Sequence, residues 1–203
     1  MSAVLVAGLA VAALAWAVLF LPGDDRFWER ALPAGLVIGV YGAVAQRHRL
    51  DDLWEPAVVD AVVGVATAAG LYGVFWLGDR VLRRLLPAVA ADVGQLYAVS
   101  RASRPRLVPV VLVVVGASEE MFWRGFVQAR AGVLVALVGY AAVHLWERKA
   151  ALVLAAAVGG AAWSALFGWR GTVVAPVVCH ALWDLAVVVW FPFRPVPRTG
   201  REG

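Results

Sequence analysis

Ionisable side chains interrupt long apolar segments of this chain at spacings that would place them on shared helix faces. The densest group is Glu119, Glu120 and Arg124, which follows the apolar run 107–116. Glu120 and Arg124 are four residues apart, so on a helix they share a face and can form an ion pair. Glu119 is rotated by about 100° from its neighbour and need not share that arginine. It is left as a free carboxylate, which can serve as a general base towards water.

Two of the three histidines also lie in apolar segments. His144 stands near the end of one segment, and His180 is followed four residues later by Asp184, whose carboxylate could orient or charge the imidazole. Buried acids and bases can simply hold helices together, and this structural interpretation is preferred for Asp60 and also for His144 when either residue is considered by itself. A free acid, an acid–arginine pair and two histidines on three helices instead favour a hydrolytic site. Cys179 is interpreted as a packing residue, because its valine neighbours offer nothing to activate a thiol.

The composition indicates an integral membrane protein. Of the 203 residues, 63% are hydrophobic and 16% charged, and the mean hydropathy is +0.80. These values exceed what a soluble core can bury, and they also exclude intrinsic disorder. A single cysteine excludes a disulfide framework.

Seven apolar windows approach the length of about 20 residues that a membrane-spanning helix needs. They predict an all-α fold, a polytopic membrane bundle of about seven transmembrane helices in a single domain, 1–203, with the motif-bearing core at 107–191. The connection Asp79–Arg106 mixes bases with leucines and is expected either to lie along the membrane surface or to form a solvated loop. The windows are Ser2–Pro22, Phe27–Ala45, Ala57–Gly78, Leu107–Ala129, Ala131–Trp146, Ala150–Trp169 and Thr172–Phe191.

The basic residues predict the orientation, since lysine and arginine are enriched in cytoplasmic loops. With the N-terminus outside, thirteen of the eighteen fall on the cytoplasmic side and four on the other, and Arg124 lies within a span. The net charge of +4 is then explained by loops that meet anionic lipid. We therefore expect membrane lipid as a partner and no nucleic acid. The expected location is the plasma membrane, in multi-pass form, with the site opening towards the cytoplasm.

The three groups together resemble the motifs of the CAAX protease and bacteriocin-processing (CPBP, abortive-infection) family of intramembrane endopeptidases. The family pattern is EExxxR, then FxxxH, then HxxxN or HxxxD, on three helices. Here the first motif runs from Glu119 to Arg124 and the second from Tyr140 to His144, with tyrosine in place of phenylalanine. The third runs from His180 to Asp184, with aspartate where prenyl-protein endopeptidases carry asparagine. The order and the spacing agree over about 107–189.

The resemblance implies a role for each motif residue. Glu119 and His144 would activate the attacking water, and His180 and Asp184 would stabilise the oxyanion or assist a metal. Glu120 and Arg124 would hold the first motif helix in register, and Tyr140 would support the site. Asp184 stands where an asparagine amide could donate a hydrogen bond to the oxyanion. The aspartate puts that donation in doubt, because an ionised carboxylate only accepts hydrogen bonds.

A divalent metal such as zinc is an open possibility, with His144, His180 and Asp184 as candidate ligands. The expected activity is that of a CAAX-type intramembrane endopeptidase acting on a peptide or lipidated protein substrate. Two other classes stay open. One is a non-catalytic membrane scaffold or immunity protein that keeps the polar core for structure, and the other is a small transporter or proton-coupled channel.

Overall fold

The structure, a computed structural model, describes residues 2–21, 26–90 and 107–193, and these contain helices and turns but no strand. The all-α prediction is therefore confirmed. Each of the seven predicted windows holds a main helix. The helices are α1 Ala3–Leu19, α2 Phe27–Ala45, α3 Val58–Leu85, α4 Val108–Glu120, α5 Val133–Val143, α6 Ala150–Arg170 and α7 Val174–Asp184.

Three of these helices continue in another helical form. A π-helix, Met121–Gln128, follows α4 directly, and a second, Leu185–Trp190, follows α7, whereas a 3₁₀ turn, His144–Glu147, follows α5. Single π-helical turns are rare and often occur at functional sites. Short helical turns also occur at Arg47–Arg49, Leu50–Leu53 and Ala129–Ala131.

The third predicted window ends too early. Helix α3 does not stop at Gly78 but continues to Leu85, because Asp79 and Arg83 form an ion pair of 2.7 Å one turn apart and Arg80 stacks on Trp76. Twenty-eight residues make a helix about 42 Å long, which exceeds a bilayer core of about 30 Å. The start of the predicted connection is thus part of α3, and residues 91–106 lie outside the described part of the chain.

Helix α7 lies at the centre of the bundle and packs against α3, α4 and α6, while α2 packs against α1 and α4. Glycines permit the closest approaches. A Cβ at Gly39 would lie 2.7 Å from the Ser118 side chain of α4, and one at Gly64 would lie 2.8 Å from Val178 of α7. Small residues at helix contacts are typical of packing within membranes, where backbones approach closely.

The outer surface of the bundle is strongly apolar. Leu14, Val58 and Leu134 are exposed by 67%, 84% and 71%, and apolar surface of this extent marks a contact with membrane or partner. By length and composition, only α3 and α6 among the described helices are long and apolar enough to cross a membrane, and α1, α5 and α7 are shorter apolar helices. The number of spans therefore stays a prediction.

Candidate active site

Glu119 lies buried on the last turn of α4 and is held by Tyr140 of α5. The Tyr140 hydroxyl donates a hydrogen bond of 2.8 Å to Glu119 Oε2. No ion pair with arginine forms at Glu119 among the described residues. The prediction that Glu119 does not share Arg124 thus agrees with the geometry, and the tyrosine provides the only hydrogen bond found for this carboxylate in the described region.

Glu120 forms the centre of a buried polar network. Arg124 Nη1 donates to Glu120 Oε1 at 3.1 Å, and both side chains are fully buried. The other guanidinium nitrogen, Nη2, donates to the Gly160 carbonyl of α6 at 3.0 Å. His180 Nδ1 of α7 lies 2.7 Å from the same Glu120 oxygen. One carboxylate therefore links α4 to α7 directly and to α6 through Arg124.

The π-helix that carries Arg124 differs from the uninterrupted α-helix expected over 107–129. Gln46 at the end of α2 donates a hydrogen bond of 2.6 Å to the Gly125 carbonyl, in a buried position. A side chain that satisfies a backbone carbonyl allows the helical hydrogen-bond ladder to change its step. The Glu120–Arg124 pair predicted from the spacing forms nonetheless.

His180 is oriented by Glu120 and by an indole ring. Its Nε2 lies 3.7 Å from Asp184 Oδ2, which is too long for a hydrogen bond. The four-residue spacing suggested that Asp184 orients the imidazole. In the structure, however, no direct hydrogen bond joins the two side chains. Trp163 of α6 instead stacks on the ring, with the ring centres 3.7 Å apart and the planes inclined by 15°.

Three groups converge on one point beside His180. Its Nε2 lies 3.9 Å from Glu119 Oε2 and 3.7 Å from Asp184 Oδ2. Either carboxylate oxygen is therefore close enough to Nε2 for a water molecule to bridge the two groups. Glu119 and Asp184 therefore flank the same nitrogen, from α4 and α7.

His144 completes the site from the end of α5. Its Nδ1 lies 2.7 Å from the Tyr140 carbonyl, so Nδ1 donates and Nε2 of the neutral ring is left as an acceptor. The ring meets Trp16 of α1 edge-on, with the centres 5.9 Å apart. The 3₁₀ turn that starts at His144 places it at the junction of α1 and α5.

The motif residues divide according to their position around a cavity of about 490 Å³. Glu120 and Arg124 do not line this cavity, as expected for supporting residues. The cavity extends to one end of the bundle, where Phe27, Asp79 and Glu147 also line it. The motif residues that do line it are Glu119, Tyr140, His144, His180 and Asp184.

The candidate metal ligands do not form a metal-binding group in the described part of the chain. No three side chains of the types His, Cys, Asp and Glu are placed there as ligands of one ion. His144 Nδ1 is engaged by the Tyr140 carbonyl, and His180 Nδ1 by Glu120. Each of the two rings is thus held through Nδ1, which leaves its Nε2 as the nitrogen that can face a ligand, and no step below is routed through a metal.

Sequence reasoning missed Gly160 and Trp163 on α6, which has no acid or histidine within it. A Cβ at Gly160 would lie 3.0 Å from the Tyr140 ring and 3.3 Å from Arg124 Nη2, so a larger residue would require these side chains to shift by a few tenths of an ångström. Trp163 is 1% exposed. The available signal was the Gly159-Gly160 pair one turn before a tryptophan, which marks a close helix contact.

Asp60 is a structural residue, as predicted. Its carboxylate is buried and accepts a hydrogen bond of 2.5 Å from Arg170 Nε, which joins the start of α3 to the end of α6. Cys179 is wholly buried in the main hydrophobic cluster, in agreement with a packing role.

Comparison with protein families finds a match to the family described as Type II CAAX prenyl endopeptidase Rce1-like, over residues 102–186. This range contains all three motifs. No curated protein and no solved structure is significantly similar to the chain. The family is membrane-embedded. The resemblance predicted from the motifs is therefore confirmed, and the chain carries an Rce1-like region of the type II CAAX prenyl endopeptidase family.

Proposed function

We propose that the protein is an intramembrane endopeptidase of the CAAX type, in which Glu119 activates water for hydrolysis of a peptide bond. The observation that carries the proposal is the convergence of Glu119, His180 and Asp184, from two helices, on one point of a cavity that His144 also lines. A scaffold would need the network around Glu120 but not a second acid facing a cavity.

The attacking water would bind where these groups converge. Glu119 Oε2 can accept one water proton, and Asp184 Oδ2, when ionised, can accept the other. The hydrogen bond from Tyr140 orients the Glu119 carboxylate. His144 Nε2, an acceptor because its Nδ1 is engaged by a backbone carbonyl, would share the second water proton with Asp184.

The chemical step is general-base hydrolysis. Glu119 takes a proton from the water while the water oxygen bonds to the carbonyl carbon of the substrate. This step gives a tetrahedral oxyanion. His180, whose Nε2 lies 3.9 Å from Glu119 Oε2, would donate to that oxyanion through Nε2 when protonated there. The C–N bond then breaks, and the leaving nitrogen takes its proton from Glu119. The products are a carboxylic acid and an amine, and Glu119 is restored.

Substrate would reach the site from the end of the bundle that the basic residues assign to the cytoplasm. Glu119 lies about 16 Å along α4 from its first residue, near the middle of a bilayer about 30 Å thick. The cavity extends from this depth to the end where α2 begins and α3 ends. The apolar walls of the cavity include Val111, Leu112 and Val115. Walls of this kind suit an apolar or lipid-linked peptide that enters a bundle of seven spans.

The test is peptide cleavage by protein reconstituted in liposomes. Lipidated and unmodified peptides are offered to the wild type, to Glu119→Gln and to Glu55→Gln, whose carboxylate is exposed outside the site. We expect Glu119→Gln to lose at least about a hundredfold in rate, because a general base contributes this much or more. Glu55→Gln should cleave like the wild type.

Two results would refute the proposal. Equal cleavage by Glu119→Gln and the wild type would remove Glu119 from the chemistry. No cleavage by any folded form across the peptide set would favour the scaffold function.

A further inference from the structure

A second concave surface lies at the opposite end of the bundle from the catalytic cavity. It is a groove of about 890 Å³ along the outer face of α2, and we call it the α2 groove. Helix α2 contributes to both sites: Phe27 and Ala31 near its start line the catalytic cavity, whereas its lining of the α2 groove begins at Leu36 and ends at Ala45. None of the proposed catalytic residues lines the α2 groove.

The α2 groove has an apolar wall and a basic end. Val37, Val40 and Val44 line the wall and are each more than half exposed. Arg47, His48 and Arg130 line the end. An apolar trough that leads to fixed positive charge matches a ligand with a hydrocarbon chain and an anionic head.

The floor and the basic end of the α2 groove are held in place. Tyr41 donates a hydrogen bond of 2.7 Å to the Val4 carbonyl and so ties α2 to α1. Arg130 Nη2 donates to the Ala45 carbonyl at 2.6 Å and to Gln46 Oε1 at 3.2 Å. The Arg130 guanidinium also lies 5.2 Å from the centre of the Phe126 ring. Its charge is therefore positioned, and none of these contacts neutralises it.

The position of these arginines is itself unusual. They lie at the end of the bundle that holds only four of the eighteen basic residues under the predicted orientation. Of these four, Arg170 is paired with Asp60. Two of the other three, Arg47 and Arg130, line the α2 groove. Arginine is disfavoured in external loops, so its placement beside an apolar groove calls for an anionic partner at that membrane surface.

We propose that the α2 groove binds an anionic phospholipid, with one acyl chain along the valines of α2 and the phosphate beside Arg47 and Arg130. Basic pockets next to transmembrane helices bind lipid head groups in this way. Asp51, Asp52 and Glu55 follow in the next turns of the chain, but none of them lines the α2 groove. The proposal requires a membrane-embedded chain but not peptidase activity.

The test is lipid competition on the full chain in detergent micelles. Fluorescent phosphatidylglycerol is bound to the protein and displaced by unlabelled phosphatidylglycerol or by phosphatidylcholine of the same chains. We expect phosphatidylglycerol to compete at least tenfold better. Arg47→Gln and Arg130→Gln should each weaken it by about fivefold, whereas Arg84→Gln, an exposed arginine at the other end of α3, should not.

Folding is checked separately, because Arg130 also bonds to backbone. The exposed Arg47 makes no such contact in the described structure, and Val40→Asp tests the acyl path without touching the arginines. Equal competition by the two lipids, or unchanged binding in both Arg47→Gln and Val40→Asp, would overturn the proposal. Disulfide crosslinking of two copies through Val40→Cys would overturn it as well, since the α2 groove would then hold a second copy. Peptide cleavage plays no part in these readouts, so failure here is distinct from failure of the proposed function.

Discussion

Replacing Arg124 tests whether the polar network around Glu120 is structural or catalytic. Arg124 is fully buried, and its guanidinium bonds to Glu120 and to the Gly160 carbonyl. It also lies 4.8 Å from the Tyr140 ring centre. Arg124→Met keeps most of the side-chain length but removes the charge and both hydrogen bonds.

Breaking a buried ion pair from one side costs roughly 3 to 5 kcal/mol, because a charge is left buried and uncompensated. Here His180 Nδ1 still contacts Glu120 at 2.7 Å, so the carboxylate keeps one partner. We therefore expect Arg124→Met to lower the free energy of unfolding by about 3 kcal/mol, at the lower end of that range. The Gly160 carbonyl, which loses its donor, accounts for about 1 kcal/mol of this.

The double variant Glu120→Gln/Arg124→Met distinguishes the mechanism. If the stranded carboxylate causes the loss, removing its charge as well should restore about 1 to 2 kcal/mol, and the two substitutions should be strongly non-additive. Reversible unfolding in mixed micelles measures the stability, and peptide cleavage is followed in parallel. The reasoning would be refuted by additive losses, in which the double variant is less stable than Arg124→Met by as much as Glu120→Gln alone lowers the free energy of unfolding of the wild type.

Substitutions at three further positions separate activity from stability. His144→Ala should leave a folded protein with at least about a hundredfold lower rate, as expected for loss of a group that helps to activate water, and circular dichroism with a cleavage assay checks both. Trp163→Leu should lower kcat roughly tenfold with little change in KM, whereas Trp163→Phe, which keeps a stacking ring for His180, should stay within about threefold; equal losses would show that the ring only fills space. Asp184→Asn should stay within about tenfold, near 1.4 kcal/mol of barrier, because Asp184 makes no hydrogen bond to His180; stoichiometric zinc together with an inactive, chelator-sensitive Asp184→Asn enzyme would instead establish a metal mechanism.

Local spacing was sufficient wherever two partners lie on one helix. The four-residue interval predicted the Glu120–Arg124 ion pair, and the adjacent position of Glu119 predicted that it would be free of that arginine. Apolar length likewise located the main helices, since each predicted window contains one. The residues at which the helices end were less predictable, because an ion pair such as Asp79–Arg83 can extend a helix beyond its apolar segment.

Contacts between helices depend on rotation about each axis, which the spacing within one segment does not determine. The same four-residue rule that paired Glu120 with Arg124 also suggested that Asp184 orients His180. In the structure the Nδ1 atom of His180 turns away from its own helix towards Glu120, 60 residues earlier in the chain. Both His180 and Asp184 of the third motif face the cavity, but only the His180 imidazole contacts Glu120 of the first motif.

The His180 ring lies close to a glycine of α4 that carries no chemistry. Gly116 lies one turn before Glu120, and a Cβ there would stand 3.5 Å from the His180 ring. The ring therefore lies directly over the backbone of α4, with Trp163 stacked on it. With its ring held in this way, His180 has one nitrogen at Glu120 and presents the other to Glu119 and Asp184. Glu120 and Glu119, the proposed general base, are adjacent in sequence and thus face opposite nitrogens of one ring, and the rotation of about 100° between neighbouring helical residues is what allows it.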